Sequence, residues 1–185
     1  MRDTSRRIEK TKEKITQALF SLLESNSYEA ITIREIAYEA DLTRRTVYRH
    51  FDNKDEMLRY SFEKYIGLLS DHIASHDPTD YRELCLLYFS FWEDHIDYLL
   101  MLKRADILYK FGREFESLVH LMAGKIRHSD NTDDDSYRQY LEKYRYHFAY
   151  RTSGFWKVTE IWCCEDPRPT PREMADTMAD IAGNR

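Results

Sequence analysis

The chain has 185 residues, 42% of them hydrophobic and 33% charged, enough for one core or two small linked ones and too little for a large multidomain enzyme. A formal net charge of -5 and an aromatic share of 14% exclude a disordered tail and a surface coated for bulk nucleic acid, and leave many rings to bury. Three cysteines, two of them adjacent at Cys163 and Cys164, make no CxxC and no evenly spaced framework, which speaks for a reducing compartment and against a disulfide-stapled fold.

The N-terminal residues are charged, and the longest apolar runs, such as Tyr98 to Leu102, fall far short of a membrane span. A cytoplasmic protein with no membrane association is expected. With 5 Gly and 4 Pro, and apolar residues recurring at three and four, the pattern predicts an all-α fold. Residues 1–60 hold 12 basic and 11 acidic residues, leaving 16 and 22 for the remainder. The basic residues of the first part cluster from Arg2 to Lys14 and from Arg44 to Lys54, two small patches suited to phosphate.

The first helix is expected from about Ser5 to Glu24, with Ile8, Ile15, Ala18, Leu19, Leu22 and Leu23 on one face. Thr32-Ile33-Arg34-Glu35 has the form of a capping box opening a short helix to Ala40. After a turn at Asp41-Leu42, Thr43 can cap a second short helix through His50, and Asn53 to Glu56 starts a long one reaching about Ser75. Beyond the His76-Asp77-Pro78 breaker, Asp80 to Glu83 caps a helix to about His95, and two more segments follow near Ile96–Arg104 and Ile107–Arg127. The acidic stretch 130–135 reads as a solvent loop, before a long helix from about Ser136 to Cys164. Thr170-Pro171-Arg172-Glu173, with cap, first-turn proline and box glutamate, opens the last one.

Residues 32–54 concentrate the functional signal. Two short helices joined by a tight turn, with Ala37, Val47 and Phe51 facing inward, are the parts of a helix-turn-helix, and the second helix carries arginines with almost no acid. Periodicity alone leaves open a plain bundle of two short capped helices. The run Ile31 to Leu58, above all Thr46-Val47-Tyr48-Arg49-His50-Phe51 followed by Asn53-Lys54-Asp55-Glu56, resembles the DNA-binding signature of the tetracycline-repressor (TetR) family of bacterial transcription regulators. The resemblance covers about residues 5–65.

That resemblance implies a three-helix DNA-binding domain over residues 1–53, linked by a long helix to a ligand-binding and dimerisation domain over 54–185. It implies DNA contacts from Thr32, Thr43, Arg44, Arg45, Thr46, Tyr48, Arg49, His50 and Lys54. Thr32 would offer a helix N-terminus to phosphate, Tyr48, His50 and Lys54 would bind backbone phosphate, and the start of the second helix would meet base edges. Two positions depart from the family pattern: Asp41 stands where the turn usually has glycine, a conformation aspartate tolerates, and Arg45 stands where glycine is frequent, which changes which residues read bases.

Beyond the connector the residues speak for themselves. Tyr88, Phe89, Trp92, His95, Phe111, Phe115, His147 and Tyr150 could line a ligand pocket, a reading that competes with a plain aromatic core. Phe155, Trp156 and Trp162 on one late helix, with Met174 and Met178 on the next, look like half of a four-helix dimer interface. The stretch Gly154 to Trp162 distantly resembles the C-terminal domain of regulators associated with dihydroxyacetone kinase operons, without naming a ligand.

His72 and His76 have a ligand spacing but no evident third ligand, so no metal is expected. No nucleophile motif or glycine-rich phosphate loop is present, so neither a catalytic site nor a cofactor is expected. Cys163-Cys164 is either a redox-sensing pair or two small interface residues. The expectation is a homodimeric regulator binding a palindromic double-stranded DNA operator and released by an unidentified small molecule. The alternatives are an activator, a regulator controlled by a protein partner, or an all-helical ligand-binding protein whose helix-turn-helix is structural.

Overall fold

The computed structural model describes residues 2–115, 139, 142, 143 and 145–183, with the backbone alone described at 2–4, 147 and 148. The described residues contain helices and no strands: α1 (Arg2–Leu23), α2 (Ile33–Glu39), α3 (Arg44–Tyr48), α4 (Lys54–His76), α5 (Tyr81–Asp94), α6 (Ile96–Arg104), helical residues 108–115, α7 (Arg145–Trp162) and α8 (Pro171–Gly183). The expected loop at 130–135 lies outside the described residues.

Local chemistry explains most helix starts. At α2, Thr32 accepts from the Glu35 amide while Glu35 accepts from the Thr32 amide at 2.8 Å, a complete capping box. Asp80 caps α5 by accepting from the Glu83 amide at 2.8 Å. The box at Thr170 and Glu173 opens α8, with proline at its first position. Ahead of α4, the Asp52 amide donates to the Glu56 carboxylate and the Glu56 amide to Asn53 Oδ1.

The chain divides into two compact units, Met1–Lys64 with Met101–Leu108, and Tyr65–Leu100 with Tyr109–Arg185. In the first, α1 packs on α2 and α2 on α3, around buried Ile15, Leu19, Ile36, Val47, Phe51, Met57, Leu58 and Phe62. Ile8, expected on the same face of α1, is exposed. The first part of α4 belongs to this unit, past the expected boundary at residue 53, because its polar side chains are tied to α1. Tyr60 donates to Glu9, Lys64 pairs with Glu13 at 2.6 Å, and Lys12 lies over the rings of Phe51 and Tyr60. Tyr60 is held neutral well above its ordinary range, first by burial and then by its bond to Glu9.

In the second unit α5 packs on α8, with Arg82 and Asp176 paired at 2.6 Å across them. Its core is aromatic: Phe111 stacks on Trp156 at 4.9 Å, Trp92 meets Phe111 edge-on, and Phe89 meets Trp162 edge-on. The Tyr88 hydroxyl, fully enclosed, shares a 2.9 Å hydrogen bond with Thr159. Gly112 makes this packing possible, since a Cβ there would overlap Trp156.

Candidate nucleic-acid interface

The helix-turn-helix is built from α2, the turn at Ala40 to Thr43, and α3. Asp41 takes a φ of 48°, the left-handed conformation that aspartate supports better than most residues. Two backbone bonds close the turn, from the Asp41 amide to Tyr38 O and from the Leu42 amide to Ala37 O at 2.8 Å. Thr43 then caps α3 by accepting from the Thr46 amide at 3.1 Å. Buried Ala37, Val47 and Phe51 fix both helices to the core.

With Val47 inward, the other side chains of α3 point away from the core. Arg44, Arg45 and Arg49 are exposed, and no ion pair among the described residues engages them. Tyr48 is 53% exposed. Thr46 is half-buried and shares its hydroxyl with Thr43 at 2.9 Å. His50 is half-buried, and burial, reinforced by Arg49 and Lys12, lowers its affinity for a proton. Thr32 is exposed, but its hydroxyl already donates to Glu35 at 2.7 Å, which leaves the helix N-terminus more than the side chain for an anion. Two bonds from Thr32 hold the Glu35 carboxyl below the usual range.

Lys54 is placed differently from its expected role. Its ammonium donates to the carbonyl oxygens of Tyr28 at 2.5 Å, Ile31 at 2.6 Å and Glu29 at 3.3 Å, and lies 4.6 Å from the centre of the Tyr28 ring. The lysine therefore ties the start of α4 to the loop that delivers Thr32 to the N-terminus of α2. Tyr28 in turn donates to Asp55 at 2.9 Å. No sequence motif signals this clasp, because its partners lie more than twenty residues away.

Of the expected pocket residues, Tyr88, Phe89, Trp92, Phe111 and Phe115 are buried together with ring packed on ring. His95 is half-buried against Phe91 and Tyr65, Tyr150 is 71% exposed, and the His147 side chain lies outside the described residues. A cavity of about 660 Å³ sits in the first unit instead, lined by the end of α1, its following loop and the end of α6, with Glu24, Glu29, Arg104 and Asp106 among its walls. Trp156, Trp162, Met174 and Met178 are buried within the chain itself and Phe155 is half-buried, while Ile161 and Ile181 on the same two helices are exposed. Among the described residues no group of three or more His, Cys, Asp or Glu side chains could hold a metal ion, and no helix is long and apolar enough to cross a membrane.

The sequence model of the family described as "Bacterial regulatory proteins, tetR family" matches residues 15–60, the segment that holds the capped helix pair and its support. This segment of the chain is similar to the TetR family. That is a family of transcription regulators, not of enzymes. A Bacillus subtilis (strain 168) protein named an uncharacterized HTH-type transcriptional regulator, YerO, is 27% identical over 105 residues, 52% of this chain and 36% of that protein. The HTH-type dhaKLM operon transcriptional activator DhaS of Lactococcus lactis is 33% identical over 92 residues, 48% of this chain and 46% of that one. These alignments span less than half the length of either curated relative. The fold extends further than they do: a TetR transcriptional regulator from Streptococcus agalactiae 2603V superposes with a TM-score of 0.58 over 96% of both chains at 24% identity.

Proposed function

We propose that this protein is a TetR-family regulator that acts on transcription in the cytoplasm by binding a palindromic double-stranded DNA operator as a homodimer, and that a small molecule releases it. The observation that carries the reading is α3 itself: a helix locked to the core through Val47, capped by Thr43, and presenting Arg44, Arg45 and Tyr48 outward, with Arg49 exposed at its C-cap and no ion pair among the described residues to satisfy the arginines. Arginine forks pair with guanine edges or phosphates. The Thr32 end of α2 offers further phosphate contact.

One such helix covers a half-site, and a two-fold dimer would hold two of them about 34–36 Å apart. Because Trp156, Trp162, Met174 and Met178 are spent inside the chain, the dimer face on α7 and α8 rests on exposed residues, Ile161 and Ile181 among them. The ring cluster around Tyr88, Trp92 and Phe111 is the apolar part of an effector site, opened by side-chain rearrangement. A reporter gene behind the protein's own upstream region, assayed with and without the protein, tests the reading. Repression that Arg45→Ala relieves supports it, and expression unaffected by the protein refutes it.

A second reading, activation in place of repression, is favoured by the 33% identity to a protein named as an operon activator. The same reporter separates the two by the sign of its response.

A further inference from the structure

The second unit carries a paired-thiol feature that the DNA-binding reading leaves unused. At the end of α7, where the chain turns toward α8, Cys163 and Cys164 place their sulfurs 3.6 Å apart, neither in a disulfide, and Cys163 Sγ donates to Glu160 O at 3.3 Å. Cys163 is 2% exposed and Cys164 lies at the surface. The turn is fixed from several sides. The Cys163 amide donates to Thr159 O and the Cys164 amide to Ile161 O, each at 3.0 Å. Next to them, Trp162 Nε1 donates to Pro169 O at 2.8 Å.

Two chemistries compete for adjacent thiols, and geometry separates them. A disulfide brings its sulfurs to about 2.05 Å and usually joins Cα atoms about 4.4–6.8 Å apart. Neighbouring residues across a trans peptide are held at about 3.8 Å, so closing this pair strains the backbone. A single atom bonded to two sulfurs at about 2.3 Å, the length of a zinc–thiolate bond, with a near-tetrahedral angle, spans sulfurs about 3.8 Å apart. The observed spacing fits a bridged pair with little movement.

We propose that Cys163 and Cys164 form a chelating dithiol site for a soft, thiol-seeking trivalent centre, of which a trivalent arsenical with two exchangeable hydroxyl groups is the type. In the capture step two S–H and two As–OH bonds break, two As–S bonds form and two waters leave. Arsenic stays trivalent and no electron is transferred, so no oxidant is needed. Cys164, at the surface, takes the first bond, and the second closes onto Cys163 from a sulfur already in place. Cys85 is buried in α5, and burial pushes its thiol up to about 11, so it offers no ready thiolate.

The probe is phenylarsine oxide, added to the full-length protein at one equivalent and followed by a large excess of a monothiol, which strips arsenic held by one sulfur only. Mass spectrometry of the intact chain then reads retention. The expected result is one arsenical retained per chain, removed by 2,3-dimercaptopropanol, kept in Cys85→Ser, and reduced at least tenfold in Cys163→Ser and in Cys164→Ser. Because Cys164 is exposed, its serine variant keeps the helical circular dichroism and stands as the decisive case if Cys163→Ser is destabilised. Retention in Cys164→Ser, or loss of the arsenical from the unmodified protein to monothiol, overturns the proposal.

Discussion

Replacing Lys54 by methionine keeps the side-chain stem and removes the ammonium that closes the clasp on the loop before α2. Two short hydrogen bonds, to Tyr28 O and Ile31 O, and a longer one to Glu29 O go with it, as does the contact with the Tyr28 ring. Hydrogen bonds to charged groups contribute about 1.5–3 kcal/mol, and a partly exposed cation–π contact about 0.5–1 kcal/mol. Since one ammonium serves all these partners, and water reaches some of the freed carbonyls, the net loss should be about 3 kcal/mol. With a urea slope of about 2 kcal/mol/M, the unfolding midpoint falls by about 1.5 M.

The assay is urea unfolding followed by circular dichroism, run beside DNA binding at a series of salt concentrations. A lysine that binds phosphate contributes about 0.9 to the slope of log affinity against log salt. The clasp predicts a lower urea midpoint and an unchanged salt slope. An unchanged midpoint with a shallower slope would refute the clasp and return Lys54 to the phosphate-binding role that the family resemblance implies.

Arg45→Ala should lower discrimination between the operator and unrelated DNA by about 1–3 kcal/mol, roughly fivefold to 150-fold, in competition titrations, if this arginine reads a base; equal weakening on all sequences would make it a phosphate ligand. Gly112→Ala should cost about 1–3 kcal/mol by overpacking, because its Cβ would overlap Trp156 Nε1 and come within 2.5 Å of Cδ1; thermal unfolding and tryptophan emission report it, and an unchanged melting temperature would contradict the packing. For His50, burial disfavours the charged form, so its proton affinity in the folded state lies below the ordinary value of 6.5. The unfolded chain then takes up the proton first as pH falls, and this contribution to stability is present above about pH 6.5 and lost below it. His72 is lowered in the same direction by burial, so acid titration from pH 7.5 to 5.5 should lower the urea midpoint. His50→Gln should make that loss smaller, and an identical pH profile would remove His50 from the account.

Features set by short stretches of chain were legible in the sequence. The starts of α2, α3, α5 and α8 follow from Thr32, Thr43, Asp80 and Thr170, because a cap and its amide lie three residues apart. The left-handed turn at Asp41 follows instead from the family resemblance, whose pattern has glycine at that place. The inward set of Ala37, Val47 and Phe51 follows from helical spacing.

What depends on distant partners was not legible. Lys54 sits in the pattern of a DNA ligand, but its carbonyl partners lie at residues 28–31 and become visible only when α4 is laid beside the loop. Gly112 has no role until Trp156 arrives from 44 residues away. The large apolar residues of α7 and α8 read as an interface because two faces of a helix can be apolar. Packing of α8 on α5 consumes Met174 and Met178 inside one chain and leaves Ile181 outside.

The most direct test of the central claim is fluorescence anisotropy of the purified protein on a labelled fragment of its own upstream region, at 50 and 200 mM salt, with its mass in solution measured in parallel. The account predicts that a species of twice the chain mass binds tightly, and that affinity falls by about a thousandfold or more over that range if six or more phosphates are contacted. Binding that does not change with salt, or that Arg44→Ala, Arg45→Ala and Arg49→Ala together leave intact, would contradict it.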